Sequence, residues 1–502
     1  MKAHINYELF GAKGDGASND MDAIIAAHDY ANAHGLDVVA KPGAVYRIGN
    51  TARGAIIRTN TDWSGASFIL DDREVPLNER YVAVFDVRAD KKPYNLTGLT
   101  GLKKAQPHLG VALPEDSVVV LTDTNTKRYI RYGINANSGS DQQEIIVVRK
   151  DGTVDATTPI TWDYEQVTSA QVIPMDAEIL TIKGGTFTTI ANYDIPLARY
   201  YHRGIRLMRS NVVVDGLTHY VENEHPINGA PYSGILSISN CADVTVKNCV
   251  FTPHITFRYK NSEGADRTMG TYDLSPARAA NLTLLNCTQT IDILDNRYWG
   301  VMGSNFCKNI TLDGCSFSRF DAHQGVANVT ILNSTLGWTG INAIGFGTIR
   351  VENSTIYGNH SLINLRSDYG ATWEGDAIIR DCTWIPRQNK PFATAAIIDG
   401  GCNTFHNFGY PCYMPHTVTI ENLHVDDSKM EENGCIYLLG NLVQAWTSEE
   451  YEAKVKAEGY PYEVTKNLSV SGYTSSTGRK WKLSSNPFMY RSTKVTDLDA
   501  DK

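Results

Sequence analysis

No apolar run in this 502-residue chain is long enough to cross a bilayer, and its first residues lack the apolar core of a secretory signal. We therefore expect no membrane insertion, and we see no signal peptide. The chain also lacks a basic excess, since 46 Lys and Arg face 55 Asp and Glu, for a net charge of −9. This balance argues against nucleic acid as the main partner but leaves room for a local Arg and His cluster that binds an anionic sugar.

Metal-binding patterns are missing as well. The nine cysteines show neither CxxC nor Cys/His zinc spacing, and no acid cluster has clear calcium geometry. We predict no metal and no cofactor. Four cysteines follow a repeated anchor residue, where a free thiol serves as a small apolar filler. They are Cys249, Cys287, Cys315 and Cys382.

One short pattern recurs from about residue 180 onward: a β-branched strand, then Gly, Asn or Asp, then a small or apolar residue. The spacing of these anchors runs from 19 residues between Gly314 and Asn333 to 41 between Asp381 and Asn422. A minimum period near 20, with insertions only between anchors, indicates stacked coils that carry loops of varying length. The anchors are Gly185, Gly216, Asn248, Asn286, Gly314, Asn333, Asn353, Asp381 and Asn422.

The opening of the chain adds a family resemblance. The run FGAKGDG at 10–16, a polar step, an amphipathic helix ending at Gly35 and KPGAVYRIG at 41–49 follow one another. This opening resembles that of the pectate-lyase-like superfamily of right-handed parallel β-helix proteins, which includes polysaccharide lyases, glycoside hydrolases and phage tailspikes. The resemblance implies an all-β solenoid, with the helix covering its open end, and a secreted or periplasmic protein.

The same reasoning divides the chain into four parts. Residues 1–99 form the N-terminal cap and first coils, and 100–178 a small antiparallel β insert with strands that include 128–132 and 159–162. Residues 179–440 form the coils that carry the site. Residues 441–502 close the solenoid with a C-terminal cap, including a helical pattern at 448–459.

Acid–base residues recur at one place in successive coils, five or six residues past the post-anchor position. Neighbouring coils lie ~4.8 Å apart, so carboxylates one or two coils apart would be separated by ~5–10 Å. Glycosidases use separations within this range. The predicted column is His254, Asp292, Asp321, Thr339, His360 and Arg387.

The segments around this column supply the candidate site residues. The candidate catalytic residues are Asp292, Asp321, His323, Arg366 and Asp368. The candidate substrate-binding residues are Asp295, Arg297, Trp299, Trp338, His360, Tyr369, Trp373, Glu374 and Arg387. Structural roles stay open for several of them: a surface ion pair for Asp295 and Arg297, an internal salt bridge for Arg366 and Asp368, and solvation for Glu374.

These residues favour a carbohydrate-active enzyme that acts on a polysaccharide or oligosaccharide, most simply a glycoside hydrolase. In the working mechanism Asp292 or Asp321 is the general acid and Asp368 the nucleophile or base. His323 and His360 orient them, and Arg366 binds substrate.

Two alternatives stay open, and the motifs of polygalacturonases, which would decide for hydrolysis, are not present. One is a uronate lyase, in which a base removes a proton while Arg neutralises the developing charge. The other is a non-catalytic glycan-binding or tailspike-like protein. Either a monomer or a trimer fits the sequence.

Overall fold

The computed structural model describes residues 3–133, 136–192, 201–225, 233–260, 264, 266–386, 391–401, 406–440, 453 and 462–499. Arg387 lies outside the described residues, as does the predicted helical segment 448–459 apart from residue 453. No helix within the described ranges combines the length and apolar character that a bilayer crossing needs.

The chain is mostly β, as predicted. Parallel ladders join 29 strands into one sheet, in which each strand pairs with the corresponding strand of the next coil. One ladder runs from Leu282 through Ile310, Val329 and Ile349 to Ala377. All five side chains are buried in a single apolar core. Stacked ladders around one core are consistent with a β-helix.

The N-terminal part begins with short strands and one helix. The first helix buries one apolar face, and Gly35 ends it by adopting a left-handed conformation (φ 64°). Its bounds and those of the strands are β1 His4–Ile5, β2 Asp15–Asn19, α1 Met21–His34, β3 Asp37–Val39, β4 Val45–Ile48, β5 Ala55–Ile57, β6 Thr61–Asp71 and β7 Phe85–Arg88.

A four-stranded antiparallel sheet with its own apolar core follows. Its strands are β8 Tyr94–Asn95, β9 Ser117–Arg128, β10 Ser140–Val148 and β11 Ser169–Pro174. The predictions of separate strands at 128–132 and 159–162 are wrong. β9 ends at Arg128, and Tyr129 then takes a positive φ of 56°, which turns the chain toward the coils. Pro159 instead accepts a hydrogen bond from Lys308 of the coils through its carbonyl oxygen.

The central coils contain most of the parallel strands. Their bounds are β12 Leu180–Ile190, β13 Ile205–Met208, β14 Val212–Asp215, β15 Thr218–Glu222, β16 Leu236–Lys247, β17 Val250–Phe251, β18 His254–Ile255, β19 Phe257–Lys260, β20 Asp266–Met269, β21 Leu274–Leu285, β22 Thr288–Gln289, β23 Tyr298–Gly300, β24 Met302–Asn305, β25 Lys308–Asp313, β26 Ser316–Leu332, β27 Thr335–Glu352, β28 Thr355–Ile356, β29 Ser361–Leu365, β30 Trp373–Trp384 and β31 Phe392–Gly400.

The last described coils end in a short helix and strand. Their bounds are β32 Cys412–Tyr413, β33 Thr417–Val425, β34 Met430–Leu439, β35 Tyr462–Glu463, β36 Asn467–Ser471, β37 Thr474–Ser475, β38 Trp481–Lys482, α2 Pro487–Ser492 and β39 Lys494–Asp497. Three single-turn 3₁₀ helices complete the described secondary structure, at Glu8–Phe10, Leu77–Glu79 and Ser367–Tyr369.

The recurring anchors are corners of the coils. All nine have positive φ, from 48° at Asn353 to 94° at Gly185, a region that Gly and Asn enter at low cost. Several anchor Asn side chains donate to an aspartate of the preceding coil, as where Asn333 Nδ2 donates to Asp313 Oδ1 at 2.7 Å. The four cysteines that follow anchors are buried and unpaired, as predicted.

Candidate functional site

A row of polar residues crosses successive coils on the outside of the sheet, and we call it the outer polar column. Its neighbours in each strand, such as Phe320 and Ala322 beside Asp321, point into the core. The ladder registers place its members side by side. They are Asp86, Arg206, Ser237, Ser275, Gly303, Asp321, Asn342, Asn364 and Asp399.

Asp321 is the most enclosed member of the column, with no exposed surface. Its Oδ2 accepts hydrogen bonds from Tyr272 Oη at 2.5 Å and from Arg319 Nη2 at 2.9 Å, and Arg366 Nη1 lies 3.5 Å from Oδ1. Tyr272 reaches Asp321 across Gly303, where a β-carbon would lie 2.4 Å from the Tyr272 ring. A glycine in the column therefore makes room for the Tyr272 ring.

The charge on Asp321 is fixed by its cations. Burial raises the pKa of the Asp321 carboxyl, but the guanidiniums of Arg319 and Arg366 outweigh this effect and hold the pKa below its ordinary value. Asp321 is thus ionised at neutral pH.

Asp368 completes a cluster with the insert. It lies on the 3₁₀ turn after β29 and pairs with Arg366 Nη2 at 2.9 Å and with Arg131 Nη2 at 2.5 Å. Arg131 belongs to the turn that follows β9, so the coils and the insert both contribute to this cluster. Burial raises the pKa of Asp368, and Arg366 and Arg131 together bring it below its ordinary value.

We call this cluster the arginine–carboxylate groove. Asp368 is its accessible acid, with 24% of its side chain exposed, against none for Asp321. Three guanidiniums face two carboxylates, which leaves one excess positive charge. Its members are Arg131, Tyr272, Arg319, Asp321, Arg366 and Asp368.

His323 lies at the edge of the groove. Its Nδ1 is 2.8 Å from Asn305 Oδ1 and donates to that amide oxygen, so Nε2 carries the lone pair of the neutral ring. Burial and the nearby Arg366 lower the pKa of His323 to about 4. The imidazole is therefore unprotonated at neutral pH.

The outer polar column also contains Asp399, whose carboxyl pKa is raised, whereas the pKa values of Asp321 and Asp368 are lowered. Burial raises the pKa of Asp399, against smaller opposing effects of a hydrogen bond from the Gly400 backbone and of the nearby His360. Gly440 of the next coil lacks a side chain where a β-carbon would lie 1.9 Å from Asp399 Oδ1. Asp399 pairs in register with Asn364, two residues before Arg366.

A second buried polar cluster adjoins the groove through the Tyr272–Asp273 dipeptide. Asp273 accepts from His219 Nδ1 at 2.7 Å and lies 3.3 Å from His254 Nε2, whose Nδ1 is 2.8 Å from Glu224. Burial lowers the pKa of His254, but Glu224 and Asp273 more than reverse this and raise it to about 10. His254 is thus a buried cation between two carboxylates.

The structure brings Asp321, His323, Arg366, Asp368 and Tyr369 together. Tyr369 is buried beneath the arginines, with the guanidiniums of Arg131 and Arg366 each 5.2 Å from its ring centre. The Tyr369 ring therefore supports the arginines from below.

Other candidates lie apart from the groove. Asp292 is exposed and accepts from the backbone N–H of Leu294, as in a turn. Asp295 forms an ion pair with Arg297 at 2.6 Å, and the Arg297 side chain is 78% exposed. These contacts give both aspartates local structural roles.

The aromatic candidates divide in the same way. Trp299 lies against the groove, 4.5 Å from the Arg319 guanidinium. Trp373 is fully buried and donates to the Gly347 carbonyl at 2.9 Å. Trp338 is half-buried, and its backbone N–H donates to Ile293.

Glu374 lies farther along the coils. It pairs with Lys104 of the insert at 3.0 Å, so it joins the two parts of the chain rather than the groove.

The spacing of residues past the anchors predicted that Thr339 and His360 lie in one column with Asp321, and this part of the prediction is wrong. The ladders place Asn342 and Asn364 there, because β26 and β27 contain bulges that shift the register. The spacing missed Asp399, which strand alternation could have found. It also missed Tyr272 and Arg131, which come from irregular segments without a sequence signal.

The described part of the chain holds no group of three or more His, Cys, Asp or Glu placed to bind a metal ion.

Comparisons with known proteins connect this geometry to a class of fold. No family model matches the chain. The tailspike protein gp49 of Pseudomonas phage LKA1 superposes with a TM-score of 0.55 at 12% identity, covering 98% of this chain and 84% of the tailspike. Tailspike gp61 of Pseudomonas phage phi297 gives 0.54 at 15% identity, covering 94% and 80%. The chain has the β-helix fold of phage tailspikes.

One curated protein matches over a shorter stretch. It is a capsule KL64-specific depolymerase of Klebsiella phage P510, 34% identical over 96 residues. The matched stretch is 17% of this chain and 9% of that protein's length. Together with the tailspike structures, this match is consistent with the pectate-lyase-like superfamily suggested by the sequence.

Proposed function

We propose that this protein binds an acidic polysaccharide of the bacterial surface in the arginine–carboxylate groove and depolymerises it. The observation that carries the proposal is the convergence of Arg319, Arg366 and Arg131 on Asp321 and Asp368. An excess guanidinium in a partly enclosed groove suits a sugar carboxylate, which accepts paired hydrogen bonds from arginine. The names of the matched proteins, a capsule depolymerase and two tailspikes, favour the same substrate class.

Hydrolysis is the reaction we propose first. It needs one carboxyl group that holds a proton and one that is ionised. Asp399, with its raised pKa, suits the general acid, and Asp368, held ionised by Arg366 and Arg131, suits the nucleophile or base. We move the acid role from Asp292 and Asp321 to Asp399, because Asp321 is ionised and enclosed while Asp292 caps an exposed turn.

A lyase is the second candidate, and His323 is the observation that favours it. A neutral imidazole whose Nε2 carries the lone pair is a general base at neutral pH. Arg366 beside it would stabilise the negative charge that develops when a uronate loses its α-proton.

We also infer the handedness of the coils, the role of α1, the division of the chain and the place where the protein acts. The coils wind in a right-handed sense, as parallel crossovers do, and α1 covers the open apolar end of the solenoid. The divisions at residues 178 and 440 separate the insert, the coils that carry the groove, and a closing segment, whereas the division at 99 moves to before β8, which belongs to the insert sheet. A capsular substrate places the action of the protein outside the cell. The protein acts there as a monomer or as a trimer.

The test is a time course on a panel of acidic and neutral bacterial polysaccharides that follows reducing ends and ultraviolet absorbance, with binding of the protein to each glycan measured in parallel. Reducing ends that accumulate without ultraviolet absorbance establish hydrolysis. Absorbance from a new C=C bond establishes elimination and makes His323 the base. Binding without either signal leaves a glycan-binding protein, and no binding to any glycan overturns the proposal.

A further inference from the structure

A second cavity opens on the same face of the molecule, toward its N-terminal coils. Its volume is about 220 Å³, and no candidate site residue lies in it. Arg206 and Ser237, both members of the outer polar column, form its floor. The rest of the lining is Tyr81, Ala83, His202, Gly204 and Ile205.

The cavity has an aromatic edge that faces solvent. Tyr81 is 51% exposed, so packing in the core does not explain its aromatic ring. Exposed apolar surface beside polar residues is typical of a binding site. The Arg80 guanidinium lies over one face of the ring, 4.2 Å from the ring centre, which leaves the opposite face as a flat surface. Sugar rings have apolar C–H faces and polar edges, so such a surface suits them.

The polar groups of the wall are also suited to a ligand. His202 Nε2 is shielded from solvent and has no hydrogen-bond partner among the described residues. Burial lowers the pKa of His202 to about 4, so the neutral ring offers one donor and one acceptor. A shielded polar atom without a partner costs free energy that a bound hydroxyl or carboxylate would recover.

The local charge favours an acidic sugar. Arg206 and Arg88 share the single carboxylate of Asp86, with Nη2–Oδ2 distances of 2.5 Å each. Arg206 keeps 36% of its side chain exposed at the cavity floor. Arg80 adds a further cation at the edge.

The register of the coils connects this cavity with the groove. Four steps of the column, from Arg206 through Ser237, Ser275 and Gly303, lead to Asp321. At ~4.8 Å per coil, the two places lie ~19 Å apart along the same face. An extended oligosaccharide of several rings spans this distance.

We propose that the cavity lined by Tyr81, His202 and Arg206 is a distal subsite, which holds an acidic sugar ring of the same glycan chain that occupies the groove. The inference rests on the proposed function, because it assigns to that substrate a second point of attachment. A distal subsite makes affinity depend on chain length, since only a chain long enough to reach both places gains from it.

The experiment measures affinity for a size-graded series of oligosaccharides from a polysaccharide that the wild type binds. It compares the wild type with Tyr81→Ala and Tyr81→Phe, and uses Tyr490→Ala as the matched control because Tyr490 is 57% exposed elsewhere on the surface. Tyr81→Ala should weaken binding of long chains about tenfold and leave short chains unaffected. Tyr81→Phe, which keeps the ring face, should bind like the wild type, as should Tyr490→Ala.

Three outcomes overturn the subsite while leaving the proposed function in place. They are equal affinity of Tyr81→Ala and wild type at every length, an equal loss at every length, and a matching loss in Tyr490→Ala. A wild type that binds no glycan in the panel overturns the proposed function itself. Thermal unfolding of each variant confirms that the fold is intact.

Discussion

At the scale of single residues, the groove is defined by Asp321. The sequence marked it, together with Arg366 and Asp368, because acids and bases crowd into segments of the coils. It could not show that Asp321 lies beneath Tyr272 and beside Arg366, since those two contacts join different coils. The sequence suggested that Asp321 donates a proton. Because Asp321 is enclosed and paired with arginines, we expect it instead to be a fixed anion that positions those arginines.

Replacing Asp321 tests this role. Asp321→Asn should cost about 3 kcal/mol of unfolding free energy, because it leaves enclosed guanidiniums without their counter-charge. It should also abolish glycan cleavage. Denaturant unfolding and product release measure the two effects.

The matched control is Asp71→Asn, which also removes a carboxylate from between two arginines, Arg47 and Arg73. Those arginines are partly exposed, so the cost should be about 1 kcal/mol and cleavage should persist. Full activity in Asp321→Asn, or equal loss of activity in both variants, would contradict the role of Asp321.

His254 predicts a dependence of stability on pH. Its pKa in the folded state, about 10, lies above its ordinary value of 6.5. Its contribution is therefore complete below pH 6.5 and is lost as pH rises toward 10, an effect on the order of a few kcal/mol. The groups that face it are Glu224 and Asp273, with His219 on the far side of Asp273.

The measurement is the free energy of unfolding at several pH values from about 7 to about 10, where the wild type should lose stability more steeply than His254→Gln. His28→Gln is the control, because burial lowers the pKa of His28 to about 3 and that ring stays neutral throughout this range. Equal slopes in the wild type and His254→Gln would show that His254 is not a buried cation.

At the scale of elements, the anchor repeat was predictable because its cause is local. Each anchor needs a positive φ, which restricts the position to Gly, Asn or Asp and leaves a visible signal. A second corner was missed, although Asp243, Asn281, Asn309 and Asn328 also have positive φ and their side chains form a ladder. Each of them stands five residues before an anchor and directly before a strand of the repeat, as in Asn281-Leu-Thr-Leu and Asn309-Ile-Thr-Leu, so the repeated sequence marked this corner as well.

The corner at Asn333 can be tested directly, since its φ is 49°. Asn333→Val should lower the free energy of unfolding by about 2 kcal/mol, because a β-branched residue is strained in the left-handed region. Asn333→Gly should cost less, since it loses only an exposed hydrogen bond to Asp313. Thr330→Val, on the preceding strand, is the control and should leave the free energy of unfolding nearly unchanged. If Asn333→Val lowers that free energy no more than Thr330→Val does, the left-handed corner at Asn333 is contradicted.

The insert is attached to the coils by a buried ion pair. Lys308 Nζ lies 2.6 Å from Glu144 Oε2, and both side chains are almost completely buried. Burial lowers the pKa of Lys308, and Glu144 opposes this effect. No sequence pattern linked residues 144 and 308, because their pairing depends on how the insert docks.

A double-mutant cycle tests this attachment. Lys308→Met should destabilise the protein by about 3 kcal/mol, because Glu144 is left as an unpaired buried charge, and Lys308→Met with Glu144→Leu should recover most of the loss. Denaturant unfolding of the four proteins gives the coupling. Additive losses would contradict a direct pair.

At the scale of the whole molecule, the stacked parallel strands line up residues that are hundreds of positions apart. Asp86 and Asp399 belong to one outer column, and Arg131 reaches Asp368 across 237 residues. The repeat indicated that such columns exist, whereas bulges and loop lengths decided which residues occupy them. This is why the class of fold was predictable and the composition of the groove only partly so.

If the arginine–carboxylate groove cuts an acidic surface polysaccharide, cleavage depends on its accessible carboxylate, Asp368. The most direct measurement is the rate of chain shortening of a polysaccharide that the wild type binds, compared among the wild type, Asp368→Asn and Asp295→Asn. Both substitutions remove a carboxylate paired with arginine, but only Asp368 lies in the groove. Asp368→Asn should lose at least a hundredfold in rate, and Asp295→Asn should cut like the wild type. Unchanged cutting by Asp368→Asn, or equal loss in both variants, would contradict this dependence.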